Sequence, residues 1–200
     1  MSAYQEFLDF FSMHNKERLD GLSEGYFTAM NQKERAMAYA YLLDLVRKGG
    51  TEESVNGLFM ADFSRAVDPV EDLLKEGELN GEAQISAAWN LSKIRGGERY
   101  FQIFEKFMSD SDSRLRTKAV YYVPDDISRY KLEPCLKGMI RTETTQLPRI
   151  HAVNKLLDIN NINKSTIGEK LFKEIYRGLH SDDAREQDRA FKKIENLRDG

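Results

Sequence analysis

The residues that could hold a metal ion are few and lie far apart in the sequence. The histidines are His14, His151 and His180, and the single cysteine is Cys135. Each histidine is isolated, without a second histidine or a cysteine at the spacing of metal ligands. A zinc site needs three or four converging nitrogen or sulfur ligands. We therefore predict no metal site and no bound cofactor.

Motifs for nucleophilic catalysis are also missing. Cys135 follows Pro134 and is interpreted as a small packing residue, because no recognisable nucleophile motif surrounds it. Asp110 and Asp112 are spaced like the start of a calcium loop. However, the sixth position of that loop is Leu115 instead of glycine, and the twelfth is a tyrosine instead of glutamate. We predict a protein that is not an enzyme.

Composition and charge restrict the class of protein. Of the 200 residues, 40% are hydrophobic and 32% are charged, and only four are proline, which is typical of a helical protein. A net charge of −3 argues against a nucleic-acid partner, since such proteins usually carry a basic excess. One cysteine excludes an intramolecular disulfide, and no apolar run approaches the roughly 18 residues of a membrane span. Without the pattern of a secretion signal at its start, the chain is expected to be cytoplasmic and to have no membrane partner.

Five stretches of the chain share one pattern, which is aligned on the alanines Ala38, Ala87, Ala119, Ala152 and Ala190. The next residue in each is Tyr39, Ala88, Val120, Val153 and Phe191, and the fourth after the alanine is Leu42, Leu91, Val123, Leu156 and Ile194. Three positions before the alanines are long polar residues: Arg35, Gln84, Arg116, Arg149 and Gln187. Seven positions before them are good N-cap residues: Asn31, Asn80, Asp112, Thr145 and Asp183. This agreement indicates an internal repeat of helices.

The clearest copy, with Asp112, Arg116 and Ala119 at the spacing Asp-x-x-x-Arg-x-x-Ala, resembles the first helix of a HEAT or HEAT-like repeat. The alanines are 49, 32, 33 and 38 residues apart, against roughly 40–47 in typical HEAT units. The resemblance covers about 31–200 and implies an all-α, HEAT-like α-solenoid of about five helical hairpins. Residues 1–30 are expected to form an N-terminal helical cap, and the whole chain a single domain.

Start and stop signals place the predicted helices. Pro69 and Pro134 are placed at helix starts, because proline fits the first helical turn and disfavours the interior. The glycine pairs at 49–50 and 96–97 are placed as helix stops. The predicted segments are 3–15, 31–47, a helix starting at Thr51, 69–76, 80–94, 98–108, 112–123, 134–141, a helix starting at Pro148, 165–179 and 183–198.

What the resemblance implies about function is a set of alternatives. HEAT-like proteins of this size include adaptors, phycobilisome-lyase-like proteins, alkyl-base DNA glycosylases and small bacterial immunity proteins. The expected function is a non-enzymatic protein-binding module, most specifically an immunity protein that binds and neutralises a cognate toxin. The alternatives are a nucleic-acid-binding HEAT-repeat enzyme of the alkyl-base DNA glycosylase kind, or a general adaptor or scaffold.

Two groups of residues are predicted to contact a protein partner. Trp89 and Tyr121 stand two positions after an anchor alanine, on the side of the helix away from the core stripe. The alternative is that a helix or loop of the chain covers them. The second group lies near the turn at 125–126 and consists of Arg99, Tyr100, Arg129, Tyr130 and Lys131. The arginines of the repeat, in contrast, are interpreted as structural.

Charge is unevenly distributed along the chain. Residues 51–82 hold nine acidic and two basic residues, a net of −7, and residues 114–155 hold nine basic and four acidic residues, a net of +5. This asymmetry predicts a bipolar surface that orients a charged partner. The alternative is an ordinary solvated helical surface.

Overall fold

The computed structural model describes residues 2–13 and 21–199, so His14 lies outside the described residues. These residues form thirteen α-helices and one 3₁₀ helix, Gly97–Tyr100, and contain no β-strand. The α-helices are α1 (Ala3–Ser12), α2 (Glu24–Thr28), α3 (Gln32–Arg47), α4 (Glu52–Ala61), α5 (Phe63–Glu76), α6 (Gly81–Arg95), α7 (Phe101–Met108), α8 (Ser113–Tyr122), α9 (Arg129–Thr142), α10 (Gln146–Ile159), α11 (Lys164–Ile167), α12 (Glu169–His180) and α13 (Ala184–Asp199). The prediction of an all-α protein is confirmed. Within these described ranges, no helix is long and apolar enough to cross a lipid bilayer.

The chain divides into two compact units, and α4 is at the centre of the first, which ends at Gly96. Helix α4 packs against α2, α3, α5 and α6, and α1 packs against α2 and α3. The side chains buried there include Phe7, Phe27, Leu42 and Leu58, each at most 1% exposed. The helices of the predicted N-terminal cap, α1 and α2, therefore belong to the same unit as α3 to α6.

The second unit begins at Gly97 and is centred on α10. Helix α10 packs against α8, α9 and α12, while α7 packs against α8 and α9. Helix α12 also packs against α11 and α13. The core of this second unit includes Phe104, Leu132, Leu136 and Leu156, which have no exposed surface.

The five anchor alanines lie in five different helices, as the repeat predicts. They belong to α3, α6, α8, α10 and α13, and each is at most 2% exposed. The residues one and four positions after each alanine are also buried. Three of the predicted N-caps accept a hydrogen bond from the first helical turn: Asn31, Asp112 and Asp183. The apolar columns of the repeat thus correspond to the core faces of these helices.

Two prolines that were predicted to start helices lie inside them instead. Helix α5 begins at Phe63 after the N-cap Asp62, six residues before Pro69. Pro69 has no N–H to donate to the carbonyl of Arg65, and the hydroxyl of Tyr39 donates to that carbonyl at 2.8 Å. A tertiary hydrogen bond therefore replaces the missing helical one. Helix α9 likewise begins before its proline: it starts at Arg129 and includes Pro134.

Two other predicted helices are interrupted. The predicted segment 165–179 is divided at Gly168, whose φ of +80° ends α11 before α12 begins. The predicted segment 98–108 starts as the 3₁₀ helix and continues as α7.

Candidate functional site

The second predicted group of contact residues lies around two elements of the second unit, the 3₁₀ helix and the start of α9. The carboxylate of Glu98 joins these elements. It accepts a hydrogen bond from the backbone N–H of Ser128 at 2.6 Å, and it forms an ion pair with Lys131. The contact from Lys131 lowers the pKa of Glu98, so the carboxylate remains ionised at neutral pH. Residues 98–99 and 129–131 are therefore held together by hydrogen bonds, although they are about thirty positions apart in sequence.

A second contact fixes the loop that precedes α9. The N–H of Gly97 donates to the carboxylate of Asp126 at 2.8 Å. A side chain at Gly97 could not fit, because its Cβ would meet the Cβ of Pro124 at 2.7 Å and also the Asp126 carboxylate. Glycine is therefore required here for a close approach of two chain segments.

Tyr130 is the main exposed aromatic side chain of this region. It is 83% exposed, the highest value among the large hydrophobic side chains of the described residues. The guanidinium of Arg129 lies 5.7 Å from the centre of its ring, and Arg99 and Lys131 are exposed nearby in the structure. We call Arg99, Arg129, Tyr130 and Lys131 the Tyr130 surface.

Tyr100 does not belong to this surface. It is only 5% exposed, so the prediction that it contacts a partner is wrong. The 3₁₀ helix ends at Tyr100, and the next residue, Phe101, is buried as well. Arg99 remains exposed and lies 5.9 Å from the ring centre of Tyr100.

Pro134 adds a backbone acceptor to the Tyr130 surface. In a regular α-helix, the N–H of residue 134 would donate to the carbonyl of Tyr130, but proline has no N–H. The carbonyl of Tyr130 therefore lacks this donor, in contrast to the carbonyl of Arg65, which accepts from Tyr39. An aromatic ring, cationic side chains and a backbone acceptor occur together at the start of α9.

The two residues of the first predicted contact group lie in different units, Trp89 in the first and Tyr121 in the second. Tyr121, on α8, is 64% exposed and makes edge contacts with the rings of Tyr122 and His151, at 5.0 and 5.4 Å. Trp89, on α6, is only half-buried, and the ammonium of Lys93 lies 3.1 Å from its ring centre. Because a side chain of the same helix covers its ring, Trp89 is a weaker contact candidate than Tyr121.

The basic segment 114–155 is not a free cationic surface. At least eight of its nine basic residues form ion pairs: Arg114, Arg116, Arg129, Lys131, Lys137, Arg141, Arg149 and Lys155. Several of the acidic partners lie outside the segment, including Glu98, Asp182 and Asp188. The net charge of +5 counted along the sequence therefore overstates the positive field of this region, and the prediction of a bipolar surface finds no support in this half.

The long polar residues of the repeat bind backbone carbonyls at helix ends, which agrees with their interpretation as structural. Each of these side chains donates a hydrogen bond to a backbone carbonyl: Arg35 to that of Met60 at 3.4 Å, Gln84 to that of Leu79 at 2.7 Å, Arg116 to that of Asp110 at 2.8 Å, Arg149 to that of Glu143 at 2.9 Å and Gln187 to that of Ser181 at 2.8 Å. Each bond satisfies a carbonyl that the helix or loop itself leaves unpaired. These residues stabilise the fold and are not contact candidates.

Glu143, between α9 and α10, is a buried ion-pair centre that sequence reasoning missed. Its side chain is 2% exposed, and it accepts two hydrogen bonds from Arg116, at 2.6 and 2.9 Å. It also accepts from the N–H of Thr145 at 2.7 Å. The hydrogen bonds from Arg116 lower the pKa of Glu143 to about 2. No motif marks this residue in the sequence.

The residues considered for chemistry do not come together. Within residues 2–13 and 21–199, no three His, Cys, Asp or Glu side chains are placed to hold a metal ion. Burial lowers the pKa of His151 and His180, so both are neutral at pH 7. Burial, together with Glu105, raises the pKa of Cys135 to about 11. A thiol that is protonated at neutral pH is a poor nucleophile.

Comparison with known proteins adds no further assignment. No protein-family model matches the chain, no curated protein matches it, and no solved structure matches it.

Proposed function

We propose that the protein is a protein-binding module whose Tyr130 surface contacts an acidic region of a partner protein. The exposed ring of Tyr130 carries this proposal, because it is 83% exposed yet stands on a loop and helix start that hydrogen bonds hold in place. Tyrosine is enriched among the residues that contribute most to protein interfaces. Because the backbone that carries the ring is already held in place, binding requires little further ordering of the backbone at this position.

The side chains around Tyr130 specify the charge of the partner. Arg129 lies 5.7 Å from the ring centre, and Arg99 and Lys131 belong to the same surface, where Lys131 is already paired with Glu98. Arg129 is 3.9 Å from Glu133, a separation that leaves it able to form a shorter ion pair with a partner. An acidic rim around an apolar pocket would complement the cationic side chains, and an N–H or O–H group of the partner would be needed to donate to the carbonyl of Tyr130.

The experiment begins with affinity purification of binding proteins from the source cell, followed by titration of each candidate. Tyr130→Ala should weaken binding of the true partner by about 30-fold, which corresponds to about 2 kcal/mol. Tyr130→Phe keeps the ring and should retain most of the affinity. Lys192→Ala, on the exposed side of α13, is the matched control. A partner that binds Tyr130→Ala as tightly as the parent would show that this surface is not the interface.

The more specific hypothesis, neutralisation of a toxin, rests on the resemblance of the repeat to HEAT-like immunity proteins. It predicts that the partner is toxic when expressed alone and harmless when expressed with this protein. Tyr130→Ala, which weakens binding, should then also weaken the protection of the cell against the partner. A partner that has no effect on growth would favour the adaptor hypothesis instead.

A further inference from the structure

Helices α12 and α13 form a groove of about 670 Å³ that is lined mainly by charged side chains. Two of them, Glu174 and Glu186, are acidic, and five are basic: Lys170, Lys173, Arg177, Arg189 and Lys193. The first three belong to α12 and the other two to α13, so cations stand on both sides of the groove. From Lys170 to Arg177, the row on α12 extends for about 10 Å at the helical rise of ~1.5 Å per residue.

Two of the five cations already have carboxylate partners. Lys173 pairs with Glu169, one turn earlier on α12, at 2.7 Å. Lys193 pairs with Glu174 across the groove. Among the described residues, neither Arg177 nor Arg189 forms an ion pair with the chain itself. These two guanidinium groups are available for an external anion.

The arginines stand beside a close contact between the two helices. Gly178 follows Arg177, and Ala190 follows Arg189. A Cβ on Gly178 would lie 2.9 Å from the Cβ of Ala190, which is closer than real side chains approach, so only glycine permits this contact. The two arginines therefore emerge beside this contact of α12 and α13, one on each helix. Arginine binds phosphate oxygens through two parallel hydrogen bonds.

We propose that this groove binds the phosphate backbone of a single-stranded nucleic acid. Contacts between phosphates and a row of cations are enough for binding that does not depend on base sequence, whereas a partner helix needs apolar anchors in the groove. Seven of the nine lining residues are charged, and the other two are Gly178 and Ala190, so such anchors are missing from the lining. A single phosphorylated side chain would engage one anionic group, but the cation row is about 10 Å long. Two packed helices lie only ~8–10 Å apart, which suits one strand better than a duplex.

The net charge of −3 does not prevent this interaction, because the field at a groove depends on the nearby charges. Contacts with three to five phosphates predict that the logarithm of the binding constant falls with the logarithm of salt concentration with a slope of about −2 to −3.5. Affinity should therefore be measurable at low salt and should decrease strongly toward physiological salt.

The test is fluorescence anisotropy with a labelled dT12 oligonucleotide between 20 and 200 mM NaCl, about the range in which such contacts dominate. The double variant Arg177→Glu, Arg189→Glu should bind at least about 10-fold more weakly and flatten the salt slope by about 1.4. The matched control, Arg185→Glu with Lys192→Glu, makes the same change of charge on exposed residues of α13 that do not line the groove. It should bind within about 3-fold of the parent. Circular dichroism establishes that both variants are folded.

Three results would overturn the proposal: no binding by the parent at low salt, equal loss in both double variants, or equal competition by a poly-glutamate peptide at the same charge concentration. The second would mean that binding depends on total charge, and the third that the groove does not prefer phosphate. Tyr130→Ala should leave oligonucleotide binding unchanged. Failure at the Tyr130 surface and failure at this groove can therefore be distinguished.

Discussion

Replacing Glu143 with glutamine should remove the charge at the centre of the second unit's buried ion pair. The Glu143 side chain is 2% exposed and that of Arg116 is 17% exposed. Arg116 also donates to the carbonyls of Asp110 and Ser111, so its guanidinium is held at the end of α7 while it binds Glu143. Loss of the carboxylate charge would leave this guanidinium buried without an anion.

The size of the effect follows from the pKa of Glu143, which the hydrogen bonds from Arg116 lower from 4.5 to about 2. This difference corresponds to about 3 kcal/mol of the free energy of unfolding. The folded-state pKa is the lower one, so the stabilisation is complete above pH 4.5 and is lost as the pH falls toward 2. By pH ~3, about 2 kcal/mol of it should be gone.

The assay is urea unfolding of the parent and of Glu143→Gln at neutral and acidic pH. At pH 7, the variant should be less stable by about 3 kcal/mol, within the range for breaking a buried ion pair. Near pH 3, this difference should shrink to about 1 kcal/mol, because the parent has by then lost most of the same contribution. The control is Asp188→Asn, which removes the exposed partner of Arg141 and should cost less than about 1 kcal/mol at any pH.

The pH dependence decides whether this reasoning is correct. If Glu143→Gln is less stable than the parent by the same amount at both pH values, the ionised carboxylate is not the source of the difference. The loss would then come from packing alone. If Asp188→Asn costs as much as Glu143→Gln, burial of the pair is not what determines its contribution.

Two further predictions concern positions with matched controls. Gly97→Ala should destabilise the protein by about 1–3 kcal/mol in urea unfolding, because its Cβ would overlap Pro124, whereas Gly138→Ala, whose Cβ meets no atom within 4 Å, should stabilise α9 by about 1 kcal/mol. A destabilised Gly138→Ala or a neutral Gly97→Ala would contradict this account of the loop. Cys135 should react with iodoacetamide at pH 8 about 100-fold more slowly than a free cysteine, since its pKa is raised from 9.0 to about 11, and Glu105→Gln should accelerate the reaction. A rate equal to that of free cysteine would mean that the thiol is neither buried nor opposed by Glu105.

The parts of the fold that could be predicted from the sequence are those that depend on local signals. Asn31 and Thr51 were predicted as helix starts, and both form capping boxes with the residue three positions later. The anchor alanines were predicted from spacing alone and are buried. Caps and apolar spacing act within one or two helical turns, so the sequence displays them directly.

The errors arise where a distant residue changes the local preference. A proline normally ends or starts a helix, but the hydroxyl of Tyr39 satisfies the carbonyl that Pro69 leaves without a donor. The excess of basic residues in 114–155 predicts a cationic surface, but Asp182 and Asp188, far along the chain, pair with Arg149 and Arg141. Neither partner could be identified from one sequence, since each pairing depends on how the helices pack.

The candidate sites were predictable to different degrees for the same reason. The aromatic and basic residues at 129–131 were identified from their types, but the importance of Glu98 depends on a hydrogen bond across about thirty residues. The groove between α12 and α13 gave no sequence signal, because its cations alternate with acidic and apolar residues along each helix. Only the packing of the two helices brings those cations together around one groove.

Ion pairing within the chain therefore separates two kinds of basic residue in the second unit. Arg116 and Arg149 bind carbonyls and carboxylates at helix ends, and changing them should affect folding before it affects any partner. Arg177 and Arg189 flank a groove and form no ion pair among the described residues, so charge reversal there should affect ligand binding while leaving the fold intact. A sequence count treats all four arginines alike. The distinction lies in whether the fold already supplies an anion, so the pairing of each arginine, and not the number of basic residues in a segment, indicates where an anionic ligand could bind.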